Sequence, residues 1–176
     1  MNIRILLIFL CFTLVQPSSA TELKANNANA TLTFAGEHAG MPFTGQFNQW
    51  QATLLLSPAK SPKITATFQV GSAKTGDSMY DETLPEGDWF NAEQFPDASF
   101  SSTSIQVVDG GYWVEGALQI KDISKPISFS LNRISAGFEA TFDIDRLAYR
   151  IGLESDPEAE WVSQFIKMNL LIPAAE

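Results

Sequence analysis

From residue 30 onward, apolar and polar side chains alternate along the chain with a period of two, the signature of strands buried on one face. Leu32, Phe34, Gly36 and His38 share one face of a first strand. Met41-Pro42 is expected to break the ladder before a second strand over 43–56. Residues 57–62 carry two prolines, which cannot donate to a central ladder, and predict a turn. A third strand over about 63–72 sets Ile64, Ala66, Phe68 and Val70 on one side. Four more strands follow at 98–105, 112–121, 126–133 and about 138–149, with a hairpin signal at Asp109-Gly110-Gly111 and turns at 122–125 and 135–137. A last strand over 162–172 puts Gln164, Ile166, Met168, Leu170 and Ile172 on one face.

Two stretches escape the alternation. Residues 73–96 mix acids with Gly76, Pro85, Gly87 and Pro96, and predict a long connection with short helical turns between the third and fourth strands. Connections of this length inside compact domains are uncommon and often act as lids. Residues 152–160, with Glu154, Asp156, Pro157, Glu158 and Glu160, predict an exposed acidic loop. Eight strands joined mostly by short turns leave no room for the helical crossovers that parallel strands require. The expected architecture is all-β: an eight-stranded antiparallel barrel, with a two-sheet sandwich as its rival. Eight strands enclose an interior just wide enough to be filled by side chains or to hold one small ligand.

Composition removes several function classes. The 176 residues carry 11 Lys and Arg against 20 Asp and Glu, a net charge of −9, with no basic cluster to attract a phosphate backbone. Nucleic-acid binding is therefore excluded. One Cys and one His leave neither an intramolecular disulfide nor an ordinary zinc set. At 45% hydrophobic and 18% charged residues the chain folds around a core, as one domain. Residues 1–20 place Arg4 before an apolar run that contains Cys11, and end in Ser18-Ser19-Ala20, the pattern of a cleavable secretory signal. The expectation is an exported, periplasmic protein whose mature domain spans 21–176, with no cysteine and no transmembrane segment.

Chemistry is carried mainly by apolar residues. Phe34, Phe47, Phe68, Phe100, Leu118, Phe129, Phe142 and Met168 fall on the inner face, and Trp89 and Phe90 lie in the long connection, placed to form a lid. Periodicity alone leaves two readings open: a packed core or a lined cavity. His38 shares the phase of Phe34 and points inward near one end, either satisfied within the core or offered to a ligand head group. Arg146, entering from a core-facing strand, needs a carboxylate such as Asp81 or Asp143, or an anionic head group, to offset its desolvation. Asp77, Asp81, Glu82, Glu86 and Asp88 lack calcium-loop spacing and read as a solvated acidic face. No Gly-x-Ser-x-Gly is present and His38 is the one imidazole, so catalysis is not expected.

The combination resembles the YceI family of exported, lipocalin-like bacterial proteins. The resemblance is carried by Leu32-Thr33-Phe34 running into His38, Gly45-Gln46-Phe47 with Trp50, the run from Gly71 to Asp77 leading to Asp81-Glu82-Thr83-Leu84, and Asp88-Trp89-Phe90-Asn91. The segment from Phe95 to Ser102, the hairpin strand from Trp113 to Lys121, Ser124-Lys125-Pro126-Ile127 and Asp145-Arg146 complete it. Gln46 stands where the family often has a basic residue, and Leu147 to Gly152 replace its usual Phe-Gly ending. The resemblance implies a barrel that holds an isoprenoid quinone, a polyprenyl or another long-chain amphiphilic lipid without chemical change and without a cofactor. The other reading is a non-catalytic exported module with a packed barrel that docks a protein partner. A homodimer is compatible with both.

Overall fold

The alternating pattern folds into antiparallel ladders throughout the computed structural model, which describes residues 22–56, 59 and 61–174. The signal pattern at 1–20 and residues 57, 58 and 60 of the proline turn at 57–62 lie outside the described residues. Among the described residues there are eleven ladder segments: β1 (Glu22–Asn26), β2 (Thr31–His38), β3 (Met41–Phe47), β4 (Trp50–Leu55), β5 (Lys63–Gln69), β6 (Ala73–Lys74), β7 (Asp97–Val108), β8 (Gly111–Ile120), β9 (Ile123–Ile134), β10 (Gly137–Asp145) and β11 (Phe165–Pro173). One short helix, α1 (Ser78–Thr83), lies in the connection after β6. The sheet order is β1-β4-β5-β7-β8-β9-β10-β11-β2-β3-β6.

Eleven segments replace the expected eight because two ribbons are bent and a further strand, β1, precedes the stretch in which the alternation begins. β3 and β4 are halves of one ribbon turned at Asn48-Gln49, and β5 and β6 are halves of the next, turned by a 3-10 helix at Val70–Ser72. The two ribbons stay paired across both corners. Trp50 faces Phe68 and Phe47 faces Ala73, while Asn48 N–H donates to Ser72 O at 3.1 Å and Gln69 N–H to Gln49 O at 3.0 Å. β1 carries the pairing of β2 onward along β4. The all-β sheet therefore curls round on itself, from β2 through the bent ribbons and β7 to β11, and back to β2.

Other boundaries move for local reasons. Met41-Pro42 does not break the ladder: Met41 pairs with His38 and Pro42 with Glu37, and the turn is Ala39-Gly40, both at positive φ. The turn after β8 is Lys121-Asp122, since Ile120 already faces Ile123. β10 stops at Asp145, whose carboxylate accepts from Leu147 N–H at 3.0 Å and Ala148 N–H at 3.3 Å and starts a 3-10 turn instead. The acids of the long connection are not simply solvated. Asp77 caps α1 and Asp81 accepts from Thr75 N–H at 2.6 Å.

The ladders differ along one seam. β9 is paired with β8 along nearly its full length, and β10 with β11 along all of its own. β9 and β10 pair with each other only from Gly137↔Ile134 to Glu139↔Asn132. Past that point the two strands run without backbone pairs, and the stacked rings of Phe129 and Phe142, 4.8 Å between centroids, span the gap.

Inside the curl, large rings sit on glycines: Phe34 over Gly45 and Phe100 over Gly116, where a Cβ would occupy the space of the ring. The open end is closed by residues 146–163. Arg146 is 2% exposed and Asp156 5%, and their side chains meet at 2.6 Å. This corrects two expectations. The partner of Arg146 is Asp156, whereas Asp143 binds Lys167 at 3.1 Å and Asp81 binds Thr75. The 152–160 loop is anchored inward by Asp156 rather than wholly exposed. Asp88 fastens it from the other side, accepting from Glu154 N–H and Ser155 N–H, both at 2.9 Å.

Burial opposes the charge on Asp156, but amide donors from Val162, Trp161 and Glu160, together with Arg146, outweigh it and hold the carboxyl below its ordinary value of 3.8. A depressed folded-state value means that the stabilisation is present above the unfolded pKa and is lost as pH falls through the folded one. Asp156→Asn is expected to lower unfolding free energy at pH 7 by about 3–5 kcal/mol, the penalty for stranding a buried charge. Denaturant titrations should also show that the variant lacks part of the wild-type loss of stability below about pH 4. Gly116→Ala, read by the same titration, should cost about 1–3 kcal/mol by forcing Phe100 off its seat.

Candidate functional site

The inner face holds three adjoining apolar chambers, each sharing wall residues with the next. The core chamber holds about 100 Å³ and no polar atom opens onto it. Its wall includes Phe47, Phe68, Phe90, Phe100, Leu118, Phe129, Phe142 and Met168, drawn from β3, β5, β7, β8, β9, β10, β11 and the long connection. A neck of about 100 Å³ shares Phe47, Phe90, Ile120, Ile144 and Met168 with the core and adds Trp89, Arg146 and Ile166. A mouth of about 190 Å³ shares Phe34, Phe43, Leu84, Trp89 and Val162 with the neck, and is completed by His38, Met79 and Tyr80. All twelve residues singled out in the sequence line one or another of these chambers, Phe90 in the core and neck and Trp89 in the neck and mouth.

The polar pair of the mouth joins elements distant in sequence. His38 ends β2, and Tyr80, in the first turn of α1, reaches its Nδ1 at 2.7 Å with the rings edge to face. The proton can run either way across this bond. If the hydroxyl donates, Nε2 keeps a proton to offer; if Nδ1–H donates, the hydroxyl keeps one. Either arrangement leaves one donor for a ligand. Next to the pair, Met79 is 69% and Trp161 60% exposed. The backbone of Trp161 is tied to this end by Ala39 N–H, which donates to Trp161 O at 2.7 Å.

Arg146 lies on the neck wall, but its donors are engaged. Nε donates to Ser163 O at 3.1 Å and Nη1 to Ile151 O at 2.8 Å, while Nη2 donates to Asp156 Oδ2 and to Val162 O at 2.9 Å. Its guanidinium lies 5.8 Å from the Trp89 ring centroid and backs that ring. Gly152 lets the two pack this closely, because a Cβ there would strike both.

Sequence reasoning missed the role of Tyr80, which stands 42 residues from its partner in a stretch without periodicity. Phe43 carried a usable signal, since it shares the spacing of Gly45 and Phe47. Trp50 lines the core chamber, and its buried indole N–H finds no partner among the described residues. Among the described residues no three metal-ligating side chains cluster, and no helix is long and apolar enough to cross a membrane.

Known proteins share this framework. Residues 23–174 match the YceI-like domain family. A UPF0312 protein of Shewanella denitrificans is 26% identical over 152 residues, covering 84% of this chain and 77% of its own, and one of Photorhabdus laumondii is 24% identical over 165 residues, covering 81% and 85%. The crystal structure of Burkholderia cenocepacia BcnA superposes with a TM-score of 0.78 at 24% identity, over 85% of this chain and 98% of that one. A polyisoprenoid-binding domain from Saccharophagus degradans, implicated in plant cell wall breakdown, gives 0.63 at 13% identity, over 89% and 100%. With nearly the whole described length matched, the chain belongs to the YceI-like domain family.

Proposed function

We propose that the protein binds one long-chain amphiphile non-covalently, an isoprenoid quinone, polyprenyl or similar lipid, with the tail in the chambers and the head at His38 and Tyr80. The observation that carries this reading is the row of adjoining chambers, carbon-lined in the core and neck and polar only at the mouth. The polyisoprenoid-binding domain from Saccharophagus degradans, similar in fold, supports the same class of ligand. Export by removal of residues 1–20, and action in the periplasm, belong to the proposal.

Magnitudes are adequate. Apolar surface gains about 25 cal/mol per Å² on leaving water, so a tail burying a few hundred Å² gains several kcal/mol before ordering costs, against about 8 kcal/mol for micromolar binding. One hydrogen bond from the His38–Tyr80 pair to a carbonyl or phosphate adds about 1 kcal/mol and sets orientation. The reading involves no bond making: the one imidazole contacts a phenol rather than a carboxylate or a nucleophile.

Native mass spectrometry of the purified protein, before and after incubation with geranylgeraniol and a ubiquinone, tests the reading. A discrete adduct is expected. An unchanged apo mass together with an unchanged melting temperature would overturn the carrier reading in favour of the packed docking module. Ala66→Met, which fills the core chamber, and Phe68→Arg, which puts a charge in it, should each lower affinity by about tenfold or more while circular dichroism shows a folded chain. Tyr80→Phe is expected to weaken a ubiquinone by up to about tenfold and geranylgeraniol less, because only the quinone carries carbonyls to orient.

A further inference from the structure

We infer that the stacked pair Phe129 and Phe142 determines the length of tail the barrel accepts, and that longer tails are admitted by parting β9 from β10 at this stack. This rests on the lipid-binding reading above. An engineered apolar cavity of about 150 Å³ takes up one benzene, close to one isoprene unit in size. Core and neck, at about 100 Å³ each, and the mouth, at about 190 Å³, therefore suit a short tail as they stand. A long tail needs new volume.

The ladder dictates where that volume is found most readily. Widening the curl anywhere between β10, β11 and β2, or between β7, β8 and β9, breaks backbone pairs. Between β9 and β10, past Asn132 and Glu139, there are none to break. Phe129 and Phe142 face each other in that unpaired stretch and also line the core chamber, with Ile127 and Ile144 beside them toward the mouth. Pro126, which cannot donate to a ladder, sits in the same part of β9, as suits a strand bare on one side. Rotating two rings thus joins the chamber to the groove between the strands.

Continued two residues beyond its last pair, Asn132↔Glu139, the register would bring Ser130 opposite Thr141, neither of which lines the core chamber. The test uses the full chain with Cys11→Ser and the pair Ser130→Cys/Thr141→Cys, oxidised or reduced, and follows uptake of geraniol and of solanesol, a short and a long prenol. The oxidised form should bind geraniol as the reduced form does and lose uptake of solanesol, and a reductant should restore it. Equal solanesol uptake by both forms overturns the inference. Phe142→Ala gives an independent reading: about tenfold faster solanesol uptake, the equilibrium worth of one aromatic stack, whereas no acceleration overturns the inference. Failure of every form to bind either prenol overturns the carrier reading itself, and the length inference with it.

Discussion

A guanidinium shielded from water must be met by oxygens on every side, and this requirement organises the open end of the barrel. Arg146 draws the carbonyls of Ile151, Val162 and Ser163 and the carboxylate of Asp156 around itself, folding residues 146–163 into a closed loop. The loop presents Val162 to the mouth, bridged to His38, and backs Trp89 against the neck. Asp88 and Lys121 fasten it from outside, the lysine donating to Arg150 O at 2.7 Å. Neck and mouth thus share one polar cluster, even though the chambers themselves are almost wholly apolar.

Much of this was legible in the sequence, because a period of two is a local property. Ile64, Ala66, Phe68 and Val70, or Ile166, Met168, Leu170 and Ile172, declare their common face without reference to any other strand, and the first set lines the core chamber while the second runs from the neck, at Ile166, into the core. The inner wall follows from adding such faces. The bend leaves only a small trace in the alternation: Phe47 and Trp50 both face inward three residues apart, so the phase shifts by one at the Asn48-Gln49 corner, and without that shift being read β3 and β4 merge into one strand.

Pairings made through loops were beyond reach for a different reason. Asp156 looks like any surface acid in a run of acids, and nothing local distinguishes it from Glu154 or Glu158. Its burial depends on ten residues of loop returning to Arg146. Tyr80 likewise gains its place only when α1 lies across the end of β2. Such residues are fixed by tertiary closure, and the sequence records their chemistry without their address.

The unpaired stretch between β9 and β10 also bears on solubility. Two strand edges with free backbone donors and acceptors are templates for other chains, and here they are turned toward each other, so each screens its neighbour. Whenever the strands part, both edges become available at once, side by side, for recruitment by a second molecule. The net charge of −9 opposes that encounter at long range, because every copy repels the next. High salt would weaken this protection, so the protein's colloidal behaviour and its capacity to open are linked through the same pair of strands.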